Sequence, residues 1–146
     1  MDKAFFERWF DSLNTGLDAL SEEECGRLFA PCAARCARDA FTNLYRDLFE
    51  ECGRDVDLFF SRIHELDGVS GHVVAPHRIY EIEFMTCNCD LHVVAHVDSP
   101  KLCECSRQSI LCMMHFMAPD EKYIVTRIET VLEGAPSCRF SITRTT

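Results

Sequence analysis

Four cysteines stand as two matched pairs, Cys87 with Cys89 in CNCD and Cys103 with Cys105 in CECS, and thirteen residues (90–102) separate the pairs. In extended chain, residues two apart project to the same side. Each pair can therefore aim both thiols one way. If the two segments lie side by side, Cys87, Cys89, Cys103 and Cys105 present four sulfurs, a donor set for structural zinc or an iron-sulfur cluster that would also stabilise the folded chain. His92 and His96 lie between the pairs, on one strand face by their even spacing. With one or two cysteines they would form a mixed nitrogen and sulfur site that keeps a position open for water. The competing reading leaves the thiols reduced, lining a core or pocket, with both histidines on a solvated sheet face. The ligand-binding set is then Cys87, Cys89, His92 and Cys103. The cofactor is left open by these donors, with zinc the first candidate.

Catalysis by sulfur is a third chemistry. A helix expected to start near Ser106 would place Cys105 at its amino terminus, where unpaired amides and the helix dipole favour a thiolate. His96 would then be the base, with His92 and His115 as alternatives. No GxSxG, Walker loop, dinucleotide fingerprint, HExxH or Cys-x-x-Cys motif is present.

The whole composition limits what such a site could serve. A chain of 146 residues, 47% of them hydrophobic, is long enough for one cored domain, expected over 1–146. The net charge of -9, without a lysine or arginine run, repels phosphate backbones and anionic membrane surfaces. No apolar run approaches the roughly 20 residues that span a bilayer. The charged start, MDKAFFERWFDSL, lacks the hydrophobic stretch of a signal peptide. A cytoplasmic location is expected, where the ten cysteines would be free thiols or metal thiolates rather than disulfides.

The elements that must position the cysteines follow from periodicity. Phe6, Trp9, Phe10, Leu13, Leu17 and Leu20 recur at helical spacing over residues 3–20. That stripe reads first as core and second as the face of a homodimer. Ser21 and Glu24 have capping-box spacing for a short helix over 22–29. Pro31 suits the first turn of a second, long helix that runs to Gly53. Cys25, Cys32 and Cys36 admit a metal reading, since Cys32 and Cys36 share a helix face at one-turn spacing, but they fall on the apolar stripe and read first as packing residues. Asp55 or Asp57 caps a helix with Leu58, Phe59, Ile63 and Leu66 inward, and His64 is structural. After Gly68 the period changes to strands at 71–74 and 78–85, then at 91–97. A helix from Ser106 to about Met117 follows, and strands at 123–132 and 138–144 close the chain. The pattern is α+β: a helical part over 1–68 packed on a twisted antiparallel sheet over 69–146 with one inserted helix.

The run from 103 to 142, with CECS, a helix, an alternating strand and Gly134-x-x-x-Cys138-x-Phe140-x-Ile142, resembles the end of the bacterial 2-aminothiazoline-4-carboxylate hydrolase-like family and of related four-vinyl-reductase-type small-molecule-binding domains. Cys25-Gly26-Arg27 and the Cys32 and Cys36 pair are compatible with cysteine-rich members of that group. The segment 118–123, APDEKY, departs from it in lacking the glycine that often opens the next strand. The resemblance implies the fold of nitric-oxide-sensing haem domains and transport-particle subunits, and hydrolysis of a cyclic amidine carbon. Together these readings predict a cytosolic small-molecule-binding domain with a pocket between helices and sheet, acting as a hydrolase on a thiazoline-type carboxylate. The alternative is a non-enzymatic metal- or ligand-binding sensor or adaptor that works through an oligomer face.

Overall fold

The computed structural model describes residues 2–87 and 89–145. Helix α1 (Lys3–Asp18) opens on Asp2, whose carboxylate accepts the Phe5 amide. Ser21 and Glu24 then form the full capping box of α2 (Glu22–Ala40), each side chain accepting the other's backbone amide. Pro31 lies inside α2 rather than at the head of a new helix. It faces solvent, where water can hydrate the carbonyl deprived of its donor. A π-turn (Phe41–Tyr45), closed by the Arg46 amide on the Phe41 carbonyl, joins α2 to α3 (Arg46–Glu51). Helical backbone thus runs continuously from 22 to 51. Gly53, at φ 64°, adopts the left-handed conformation that lets the chain leave it.

Helix α4 (Val56–Arg62) is capped by Asp55 and fixed to the sheet by aromatic packing. Phe60 stacks on Tyr80 at 4.7 Å between ring centroids, and Phe59 meets Phe49 and Tyr45 edge-on. The Tyr80 hydroxyl donates to Asp57 at 2.6 Å, and the same carboxylate accepts the His77 amide in the hairpin turn. Leu58, expected inward, is exposed, and Phe60 takes the buried position. His64 is exposed within the short 3-10 turn (Ile63–Glu65) that ends this segment.

Strands β1 (Val69–Ala75), β2 (Ile79–Phe84), β3 (Lys122–Glu129) and β4 (Cys138–Thr145) form one antiparallel sheet in the order β1-β2-β4-β3. In register, Tyr80 faces Ile142, Ile82 faces Phe140 and Phe84 faces Cys138. With Val125 they supply the buried sheet face on which α3, α4 and α6 (Cys103–Met117) pack. The chain is thus α+β, as its pattern predicts.

Three expectations are corrected. Residues 91–97 are not a strand: α5 (Asp90–Val93) is a single turn, and the Val97 amide returns to the Leu91 carbonyl at 2.8 Å. β2 already has β1 on one side and β4 on the other, so the chain leaving it has no place beside it. Helix α6 begins at Cys103 rather than Ser106, because a 3-10 turn (Pro100–Leu102), capped by Ser99, feeds directly into it. The α1 stripe is core only at its far end. Leu17 is buried with Cys25, Phe29, Val97 and Leu102, whereas Phe6 and Trp9 are about half exposed. Asn14 and Asp18 explain that placement: Asn14 accepts the amides of Asp98 and Ser99, and Asp18 accepts the Ser99 hydroxyl, so only the last turns of α1 are held down. Among the described residues no helix is long and apolar enough to cross a membrane.

Candidate functional site: a cysteine-lined cavity

A cavity of about 310 Å³ lies between the α2 end of the long helix, α6 and the inner face of β2 and β4. Its floor is sheet, from Ile82, Phe84 and Phe140. One wall is α6, through Ser106, Ser109, Ile110 and Met113, and the other is Ala37, Ala40, Leu44 and Tyr45. The π-turn contributes to this wall directly. Its extra residue per turn rotates Leu44 and Tyr45 relative to the α2 face, and such insertions often occur at functional sites.

Six cysteines line the cavity: Cys36, Cys87, Cys89, Cys103, Cys105 and Cys138. Both predicted pairs are therefore present, but they do not form one four-sulfur set. Cys103 and Cys105 are helical, so about 200° of rotation separates them, and they face different neighbours. Cys36, Cys89 and Cys32 are close enough to Cys105 to influence its thiol. Cys103 lies instead near Cys138 and Cys87. Among the described residues, no group of three or more His, Cys, Asp and Glu is arranged to hold a metal ion. The geometry expected for zinc on Cys87, Cys89, Cys103 and Cys105 is absent because the second pair is coiled rather than extended.

The histidines lie elsewhere. His92 has its Nδ1 3.1 Å from the Val97 carbonyl and 3.2 Å from Asp98, which fixes the loop after α5. His96 is exposed in a left-handed turn at φ 58°, and its carbonyl accepts the Asn14 amide group. His115 is exposed on a separate, more open groove of about 570 Å³ with Arg38, Phe116 and Tyr123. None of the three lines the cysteine cavity. No Cys105 and His96 pair is assembled, because the two positions were related only through a strand that does not form.

Four of the lining thiols, Cys36, Cys87, Cys103 and Cys105, are held in their neutral form. Burial, followed by the nearby Cys36 and Cys89, pushes the Cys105 thiol up to about 12. Burial likewise raises Cys103 to about 11 and lifts Cys36 and Cys87 above the ordinary range. Desolvation is the first cause for both Cys103 and Cys105, and it acts in the reverse direction from what an activated nucleophile needs. Every described lining residue is also uncharged. The site can surround a neutral molecule with apolar atoms and sulfur, with hydroxyls of Ser106, Ser109 and Tyr45 for orientation.

Cys36 and Cys138 were not singled out as site residues from the sequence. Cys36 had been read as packing, yet it is exposed at the cavity edge, as Cys32 is beside it; Cys25 does pack, fully buried. One signal was available for Cys36: a thiol at one-turn spacing from Cys32 near the edge of the apolar stripe. No protein-family model matches the chain, and no curated protein matches it.

Proposed function

We infer that this chain binds a small, uncharged, largely apolar molecule in the cavity between the long helix, α6 and the sheet. The observation that carries the reading is the cavity itself, near the lower end of the roughly 300–1000 Å³ usual for ligand pockets and without a charged side chain in its described lining. Burying a carboxylate in such a lining would cost several kcal/mol, because no cation stands in the described lining and neutral hydroxyls alone replace its water. A neutral ligand incurs no such cost.

Kinship with the thiazoline-carboxylate hydrolase-like and vinyl-reductase-type binding domains has the α+β arrangement of helices on an antiparallel sheet in its support. The ligand proposed here is nevertheless unlike their carboxylated substrate. A binding role is favoured over hydrolysis, since burial holds the Cys36, Cys87, Cys103 and Cys105 thiols in their protonated form and no histidine or carboxylate stands in the described lining as base. The sensor or adaptor form of this role draws support from α1, whose Phe5, Phe6 and Trp9 leave an apolar face open to an oligomer partner.

Titration with a neutral solvatochromic dye tests the reading. The dye is expected to bind at a single site, with little dependence on salt, and the cavity-filling substitution Ser109→Phe is expected to abolish binding. A cyclic amidine carboxylate should neither displace the dye nor turn over. Dye binding that survives Ser109→Phe, or turnover of the carboxylate, would overturn it.

A further inference from the structure

We propose that the groove lined by Arg38, His115 and Lys122 is a second binding site, for an organic carboxylate with an aromatic or aliphatic body. The groove shares no lining residue with the cavity, so it stands apart from the neutral-ligand reading.

Local structure assembles the groove. Ala34 and Arg38 are one turn apart on α2, and Leu111 with His115 and Cys112 with Phe116 are one turn apart on α6, so each helix presents a single strip. The turn after α6, closed by the Glu121 amide on the Ala118 carbonyl at 3.1 Å, leads into β3 and adds Lys122 and Tyr123. Phe116 is braced by Phe41 at 5.8 Å between ring centroids. With Tyr123 and Leu111 it offers an apolar surface to the body of a ligand. The volume, about 570 Å³, lies within the roughly 300–1000 Å³ of ligand pockets.

Charge selects the ligand. The chain has 24 Asp and Glu against 15 Lys and Arg, so most of its bases find a partner. Among the described residues, only Arg8, Arg38, Arg78 and Lys122 have a basic side chain with neither an ion pair nor a hydrogen bond. Two of these lie in the same groove. The carboxylates next to them in sequence are engaged elsewhere, Asp39 by Arg35 at 3.1 Å and Glu121 by Arg144 at 2.8 Å. A helix dipole does not account for the two charges either. Helical backbone continues past Arg38 to residue 51, and Lys122 opens a strand. A carboxylate between them would gain charge-assisted hydrogen bonds while its body covers Phe116 and Tyr123. Glu121, in the same lining, opposes a doubly charged group such as a phosphate monoester.

The test compares 2-naphthoate with the neutral isostere 2-naphthamide on the full chain. Naphthoate should shield Cys112, which lines the groove, from iodoacetamide while exposed Cys32 stays reactive, as read by site-resolved mass spectrometry. Naphthamide should shield Cys112 only at about tenfold higher concentration. Arg38→Gln and Lys122→Gln, at exposed positions where folding is not at stake, should each weaken naphthoate about two- to fivefold, the range of exposed ion pairs, and about tenfold together. Arg78→Gln removes an unpaired cation outside the groove and should change little, as should Ser109→Phe in the cavity. Raising ionic strength from about 0.01 to about 0.15 M shortens the screening length from about 30 to about 8 Å and should weaken binding severalfold. The proposal is overturned if naphthamide shields Cys112 equally well, or if Arg78→Gln costs as much as Arg38→Gln. Loss of naphthoate binding in Ser109→Phe would place the anion in the cavity and overturn it too. Inorganic phosphate that displaces naphthoate at equal concentration would overturn the assignment to a carboxylate.

Discussion

Cys105 sits where an enzyme would place a nucleophile, one turn into a helix at a cavity, yet it should be among the slowest thiols in the chain. Its thiol is pushed up to about 12, first by burial and then by neighbouring cysteines. An ordinary cysteine titrates near 8.5, or about 9 in other reference sets, so at neutral pH Cys105 carries about a thousandfold less thiolate. Basic thiolates are also better nucleophiles, with a Brønsted slope of about 0.4–0.5, which recovers roughly 15- to 30-fold. The net deficit is about 30- to 60-fold before any shielding is counted. Substoichiometric dithiodipyridine, followed by site-resolved mass spectrometry, would rank the ten cysteines. Exposed Cys32 should react early and Cys105 late, its rate still climbing about tenfold per pH unit above pH 10. Cys36→Ser should accelerate Cys105, because Cys36 contributes to the upward shift. If Cys105 instead reacts among the first, with a midpoint at or below about pH 8, burial does not control it and the case against thiolate catalysis collapses.

Three further outcomes follow from the same geometry. Cys103 and Cys105 hold their protons more tightly folded than unfolded, so their contribution is complete below about pH 8.5 and is lost as pH rises toward 11 and 12; urea unfolding should show stability falling by up to about 1.4 kcal/mol per pH unit for each group above pH 9, and a flat profile would refute the shifts. Asp57→Ala strands the buried Tyr80 hydroxyl and should cost about 1–3 kcal/mol on that account, whereas adding Tyr80→Phe to it should restore part of the loss; strict additivity in a double-mutant cycle would show that the 2.6 Å hydrogen bond contributes nothing. Gly71→Ala would place a Cβ 2.6 Å from Ile63 Cγ2 and 3.0 Å from the Phe60 carbonyl, a backbone atom that cannot rotate away, so a loss of about 1–3 kcal/mol is expected in thermal or chemical unfolding, and an unchanged midpoint would contradict that packing.

What the sequence discloses is mostly local. Ser21 and Glu24 satisfy each other's amides within one turn, Gly53 needs only its own φ, and Tyr80 and Ile82 alternate within one strand, so no distant contact is required to read them. Pro31 misled because its position on the helix perimeter decides whether its missing donor matters, and that depends on packing. Residues 91–97 misled because the strand they follow, β2, already has both edges paired, by β1 and β4, which the local sequence does not disclose. The same limit explains the site. Matched spacing drew attention to Cys87, Cys89, Cys103 and Cys105, and all four do line the cavity. Cys36 and Cys138 come from opposite ends of the chain, and only the packing of α2 on α6 and the pairing of β4 with β2 bring them there. His96 was grouped with the cysteines by even spacing alone, and a left-handed turn takes it out of the set.

The central claim is that the cavity, rather than the exposed α1 face or the more open groove near His115, is the binding site for the neutral ligand. Methyl-resolved NMR with a neutral apolar probe tests this most directly. Shift changes should concentrate on Ile82, Leu102, Ile110, Met113 and Leu132, which surround the cavity, and should vanish in Ser109→Phe. Changes centred on Leu13 and Leu17 of α1 or on Leu111 beside the groove, or none at all at saturating probe, would contradict it.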